Sequence, residues 1–245
     1  MLSCSHATHQ LDYAPRDACA LLDSLYESAL PAIPWSISGT ARFDVNQYRL
    51  RGGFVLRVLV PEVEGAGSAG PADTAAEEEG STQRIFDFMS SSYFGSHRED
   101  MTISLQGGTI WILDRERGAY YAGEEAERFI RKQLDIAGNF AEVIEIATGS
   151  PPDCAGFERL DVRRSSGGTI VIDGLVGSHR AQFRFGRGGR RITEITWPLE
   201  VQSGKTEELR ITYRWADDGE ALEEIVLGLD RLDWRIKLSV TGQHT

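Results

Sequence analysis

The sequence predicts a mostly β domain of the α+β class, one unit over 17–245 with about three helices, behind a short N-terminal segment at 1–16. Three observations predict it. Apolar and polar residues alternate with a period of two along many stretches, as half-buried strands require. Gly-rich turns punctuate those stretches at antiparallel spacing: Gly107-Gly108, Ser165 to Gly168, Arg187 to Gly189 and Asp217 to Gly219. Two stretches, Asp17 to Leu30 and Glu124 to Gly149, carry apolar residues at helical spacing instead.

Met1 to His9 is short and polar and is expected to be mobile, which also answers for the His6/His9 pair. Leu2-Ser3-Cys4 resembles the end of a bacterial lipobox, where small residues precede a cysteine that becomes lipid-modified. Two readings stay open. Either Cys4 is a lipidation site whose apolar leader is not in this sequence, or the resemblance is accidental. Asp17 to Leu30 sets Leu21, Leu22, Leu25 and Tyr26 on one helical face, and Pro31 and Pro34 end the helix. Trp35 to Asn46 and Tyr48 to Val60 alternate as strands about a turn near Asn46-Gln47, with Phe54, Leu56, Val58 and Val60 on one face. Glu62 to Thr82 is rich in Gly, Ala and Glu and has no large apolar residue after Val63. It cannot pack, and the strands on either side make it a disordered insertion within one sheet rather than a domain linker.

Gln83 to Gly123 reads as at least three strands: Phe86 and Phe88 alternate, then Met101, Ile103 and Leu105, then Thr109 to Leu113, closing at Tyr120-Tyr121. Glu124 to Gly149 is apolar at Phe129, Ile130, Leu134, Ile136, Phe140, Val143, Ile144 and Ile146. Gly138-Asn139 divides it into two helices, and Gly149-Ser150-Pro151-Pro152 ends it. Seven further candidate strands follow, at 157–164, 169–173, 180–185, 192–198, 207–215, 222–229 and 232–241.

Composition excludes several functions. The chain has 245 residues, 41% apolar and 26% charged, which is the balance of a globular domain. A net charge of -11 argues against nucleic acid, whose phosphates demand a basic footprint. The densest basic stretch, Arg187 to Arg191, reads as a solvated hairpin tip. No apolar run reaches the 18 residues of a membrane-spanning helix. Cys4, Cys19 and Cys154 lack metal-ligand spacing. Sequence alone leaves open whether Cys19 and Cys154 pair.

Catalytic motifs are weak. Gly204-Lys205-Thr206 mimics the tail of a phosphate-binding loop, but Leu199 stands where the motif needs glycine, and the flanks are strands. His97 and His179 each follow Gly-Ser in turn-like sequence, which leaves a hydrolase as a third and minor reading. Trp111, Trp197, Trp215 and Trp234 sit in strand patterns, where core packing is the ordinary role and cavity lining the sharper one.

The order of elements resembles the bacterial lipoprotein carrier and acceptor family of the Lol system, LolA and LolB. The residues that carry the resemblance are Ser38-Gly39-Thr40 with Phe43, the strand Arg84-Ile85-Phe86-Asp87-Phe88, the block Leu105 to Asp114, Tyr120-Tyr121, and the helical pair ending at Gly149-Ser150-Pro151. The resemblance implies an open or incomplete antiparallel β-barrel with a helical lid, holding acyl chains or lipoproteins in an apolar cavity. It implies that Phe54, Leu56, Phe86, Phe88, Trp111, Phe129, Ile130, Phe140, Trp197 and Trp234 line that cavity, and that Arg84 latches the lid. It places the chain in the bacterial envelope, in the periplasm or anchored to the outer membrane and its surface through Cys4. An accidental Leu2-Ser3-Cys4 stub would leave it cytoplasmic. No cofactor, metal or catalytic residue is implied. Two departures limit the transfer: Ile85 replaces the aromatic expected after the arginine, and the insertion offers no protruding apolar residue, although Tyr93-Phe94 lie near the next turn. The residues also admit a filled core, in which the same fold is a non-enzymatic interaction or sensor module in the envelope.

Overall fold

A computed structural model describes residues 8–11, 15–29, 35–45, 48–59, 83–94, 97–106, 108–115, 117–134, 136–137, 140–148, 154–229 and 234–244. Cys4 and the insertion at 62–82 lie outside them. The chain runs β1 (Thr8–Leu11), α1 (Pro15–Ala29), β2 (Trp35–Val45), β3 (Tyr48–Leu59), β4 (Gln83–Phe94), β5 (His97–Gln106), β6 (Thr109–Asp114) and β7 (Ala119–Ala122). Then follow α2 (Glu124–Leu134), α3 (Phe140–Ala147), β8 (Arg159–Ser165), β9 (Ile170–Val176), β10 (His179–Phe185), β11 (Ile192–Glu200), β12 (Thr206–Trp215), β13 (Leu222–Leu229) and β14 (Trp234–His244). β1 falls inside the N-terminal stretch to which the sequence assigns no element.

All strands join one antiparallel 14-stranded sheet in the order β1-β8-β9-β10-β11-β12-β13-β14-β2-β3-β4-β5-β6-β7. Twisted sheets of this width curl rather than stay flat, and this one is an open barrel whose edges are β1 and β7. Two hairpin meanders, β2–β7 and β8–β14, meet where β14 pairs with β2. That order dictates where the helices go. α2 and α3 connect β7, at one edge, to β8, next to the other, so the connection must span the opening.

The two faces of the sheet differ sharply. The inner face is apolar and continuous across strands: Phe183, Ile195, Ile211, Leu227, Ile236 and Phe43 follow one another along a single cross-strand row. Each is buried. The outer face is tied by cross-strand ion pairs. Asp173 receives Arg163, Arg180 and Gln182. Glu194 lies 3.8 Å from Arg184 and 3.7 Å from Arg210, and Glu224 meets Arg214 and Lys237. A charged outer face leaves the helices one apolar surface to cover.

α1 buries Ala18, Leu22, Leu25, Tyr26 and Ala29, a stripe at helical spacing. Tyr26 packs edge-on against Phe183 and Phe185 at 6.1 and 5.9 Å. Gly189, at φ 75, gives Leu25 its space: a Cβ there would lie 2.4 Å from Leu25 Cδ2. Cys19 of α1 is disulfide-bonded to Cys154, whose Cα lies 5.9 Å away across a sequence separation of 135.

Candidate functional site

The inner face of β2–β6 and the helical connection that leads from β7 to β8 form the candidate site. Phe54, Leu56, Phe86 and Phe88 alternate inward along β3 and β4, and register sets Phe54 against Phe88 and Leu56 against Phe86. All four are buried. Phe54 and Phe86 stack with centroids 6.4 Å apart, and Phe43 of β2 lies 4.6 Å from Phe88. Ile103, Leu105, Ile110 and Ile112 continue this surface through β5 and β6.

The other predicted lining residues divide. Ile130 and Phe140 are buried on the helices, and Phe129 of α2 stacks on Tyr121 of β7 at 5.0 Å. Trp197 and Trp234 are buried in the cross-strand row Trp197–Leu209–Leu229–Trp234, and the Trp234 indole N–H is buried without a partner among the described residues. Trp111 is placed differently. Ile110 and Ile112 point inward, so Trp111 between them points outward, opposite Ser104 and Ala122. Its predicted neighbours Phe86 and Phe88 lie on the other side of the sheet. The cause is strand geometry, which alternates faces residue by residue whatever the side chain.

Arg84 pairs with Val58 in the β3–β4 ladder, and its side chain lies outside the described residues. Beyond the packing of α2 on β6 and β7, polar ties from the other half of the sheet hold the lid. The Tyr213 hydroxyl, buried on β12, donates to the Ala147 carbonyl at 2.9 Å and approaches the Ile146 carbonyl at 3.5 Å. It therefore caps the open C-terminus of α3. Ala137 N–H donates to Glu200 O at 2.8 Å, Ile136 bridges to Val201, and the Gln202 amide donates to Arg131 O at 2.8 Å. Glu127 joins the two lid helices, accepting from Phe140 N–H at 3.4 Å with Arg131 3.7 Å away. Burial pushes the Tyr213 hydroxyl well above the ordinary tyrosine range, so it remains a donor. Burial, reinforced by Tyr213, does the same for Tyr26, whose hydroxyl has no partner among the described residues.

These latches were not singled out from sequence. A tyrosine on an inward row with Leu209 and Ile211 was the available signal, since a buried phenol needs an acceptor. His179 is exposed at the head of β10, and the side chains of His97, Tyr93 and Phe94 lie outside the described residues. Gly204-Lys205-Thr206 closes the β11–β12 hairpin, with strands on both sides.

One outer-face feature stands apart. Met89, Thr102, Leu113 and Tyr120 follow one another across β4–β7. Met89 is 60%, Leu113 38% and Tyr120 61% exposed.

No protein-family profile matches the chain, and no curated protein matches it in sequence. Solved structures do. The chain is similar to a structure from Vibrio parahaemolyticus described as an outer membrane lipoprotein-sorting protein domain, with a TM-score of 0.52 and 8% identity over 94% of this chain and 93% of that one. A DUF1329 family protein from Desulfovibrio piger aligns with a TM-score of 0.49 and 6% identity over 94% of this chain and 91% of that one. The Pseudomonas aeruginosa MucA/MucB complex aligns at 0.31 and 12%, over 93% of this chain and 56% of that one. The first of these likenesses carries the fold: the open barrel with helices across it is an architecture shared with that lipoprotein-sorting domain.

Proposed function

We propose that this chain is a non-catalytic binding protein of the bacterial cell envelope that holds acyl chains, of a lipid or a lipoprotein, between the inner sheet face and the α2–α3 lid. The observation that carries the reading is a wide apolar face closed by a separate helical connection held through a few polar latches. The fold shared with a lipoprotein-sorting domain supports it. The Cys19–Cys154 disulfide supports an oxidising compartment such as the periplasm.

Magnitudes make the exchange feasible. Phe140, Val143, Ile144 and Ile146 of α3 are buried, each contributing about 1.5–3 kcal/mol. An acyl chain of about fourteen methylenes contributes about 11 kcal/mol on the same scale. The ligand therefore competes with the lid helix on near-equal terms, and displacing α3 exposes the face.

Titration with dansyl-undecanoic acid, read by fluorescence, tests this together with native mass spectrometry of protein purified from envelopes. Saturable binding that is lost in Phe88→Glu is expected. No saturable binding, with no acyl mass retained on gentle extraction, sinks the proposal.

The exposed Met89–Leu113–Tyr120 row favours a second reading: a protein-interaction module whose inner face stays filled. In that case Met89→Lys with Tyr120→Lys abolishes partner capture in the envelope while acyl titrations remain flat.

A further inference from the structure

Many of the described arginines face carboxylates, but two at one rim of the sheet do not. The Ser165–Gly168 turn between β8 and β9 and the neighbouring Arg187–Gly189 turn enclose a depression of about 580 Å³ flanked by Arg164 and Arg187. Both arginines are exposed, and neither has a carboxylate within 4.0 Å among the described residues. The two turns are joined, because Gly188 N–H donates to Gly168 O at 3.1 Å. Within the first turn, Gly168 N–H donates to Ser165 O and Thr169 N–H to Ser165 Oγ. The N–H groups of Ser166 and Gly167 have no acceptor among the described residues. Open backbone donors in a glycine turn, between two unpaired guanidinium groups, make an anion cradle. Arg190, the residue that follows the second turn, is also exposed, so this corner is basic in a chain of net charge -11.

The position of the corner says which anion. β1 pairs with β8 so that Thr8 faces Ser165. The described chain therefore joins the sheet at this corner, and the segment that carries Cys4 leads into it.

We propose that this corner docks on the phosphate groups of an anionic membrane surface, with Arg164, Arg187 and the Ser166–Gly167 amides as the contacts. The charge and turn geometry stand whether or not the inner face takes acyl chains. Only the part that Cys4 plays rests on the envelope reading.

The test is sedimentation of the full, unlipidated chain with phosphatidylcholine vesicles with and without phosphatidylglycerol, at low and high salt. The wild type is expected to pellet with the anionic vesicles only, and to be released by salt. Arg164→Gln with Arg187→Gln is expected to weaken binding at least tenfold. Arg159→Gln with Arg184→Gln, which removes arginines whose charges face carboxylates, is expected to change it little. Circular dichroism and thermal melting confirm that both variants fold. Equal pelleting with neutral vesicles, or equal loss in both double variants, overturns the proposal. Binding of inorganic phosphate at the corner, seen as NMR shifts of Ser166 and Gly167, without vesicle binding would assign the corner to a soluble anion and also overturn it. Dansyl-undecanoic acid titration of the same variants separates this outcome from failure of the acyl reading.

Discussion

Tyr213→Phe isolates the polar latch of the lid from its apolar packing. The change removes one oxygen from a side chain that is 7% exposed and leaves the ring in its row with Leu209 and Ile211. The Ala147 carbonyl, which the hydroxyl reaches at 2.9 Å, loses that donor at the end of α3, where no helical N–H replaces it. A net hydrogen bond is worth about 1 kcal/mol, and a buried acceptor left bare raises the cost to about 1–2 kcal/mol. The four large apolar side chains of α3 stay packed, so the helix remains seated but opens more often. An opening equilibrium shifted by about 1–2 kcal/mol speeds amide exchange roughly 5- to 30-fold. Hydrogen–deuterium exchange resolved over 140–148 reads this directly, beside β9–β10 as an internal reference. Exchange in α3 that matches wild type, with an unchanged denaturation midpoint, would refute the latch.

Three further perturbations follow from the fold. Reducing Cys19–Cys154, or replacing both residues by serine, is expected to lower stability by about 2–5 kcal/mol, given the long loop that the bond closes. In urea titrations, reductant should shift the wild-type midpoint and leave the double serine variant unmoved. Asp173 governs part of the acid limb: partial burial alone would raise its carboxyl, but hydrogen bonds from Arg180, Gln182 and Arg163 outweigh that and hold it below the ordinary value of 3.8. Its contribution is complete above that value and fades as pH falls through the lower folded one, so Asp173→Asn should cost about 1–2 kcal/mol at neutral pH and flatten the fall in stability below about pH 4. Equal acid limbs in pH-dependent urea unfolding would contradict this. Gly189→Ala forces a methyl against Leu25 at a backbone angle of φ 75, and should cost about 2–4 kcal/mol as a lower melting temperature. In a double-mutant cycle with Leu25→Ala the two costs should be less than additive, because the clashing side chain is then gone.

What the sequence made legible was local. The hairpins of both meanders, the division of the lid into two helices and the inward set Phe54, Leu56, Phe86 and Phe88 all follow from alternation and turn residues that lie near one another. What it hid was distant. The pairing of β14 with β2 joins chain segments about 200 residues apart, and Thr8 meets Ser165 through four residues with no strong pattern. Tyr213 is separated from its acceptor Ala147 by 66 residues. The side chain of Arg84, the latch that the family resemblance implies, lies outside the described residues, and the described polar latches come from β11, β12 and the turn between them. Trp111 shows a different failure. Its own strand pattern sets it on the face opposite Ile110 and Ile112, and only the structure shows that those two point inward.

The same geometry makes the two functional readings separable by one variant. If acyl chains bind only when α3 lifts, the measured affinity is the intrinsic affinity multiplied by the open fraction. Loosening the latch by about 1–2 kcal/mol then tightens apparent acyl binding roughly 5- to 30-fold, although no residue touching the ligand has gained a contact. A filled interaction module has no such coupling. There Tyr213→Phe raises exchange in α3 and leaves both acyl titration and partner capture through Met89 and Tyr120 as they were. Stability, exchange and binding therefore move together in the first case and part company in the second. The topology is the reason: the lid connects the edge strand β7 to β8, next to the other edge, so α3 can rise from the inner face without breaking a strand pair.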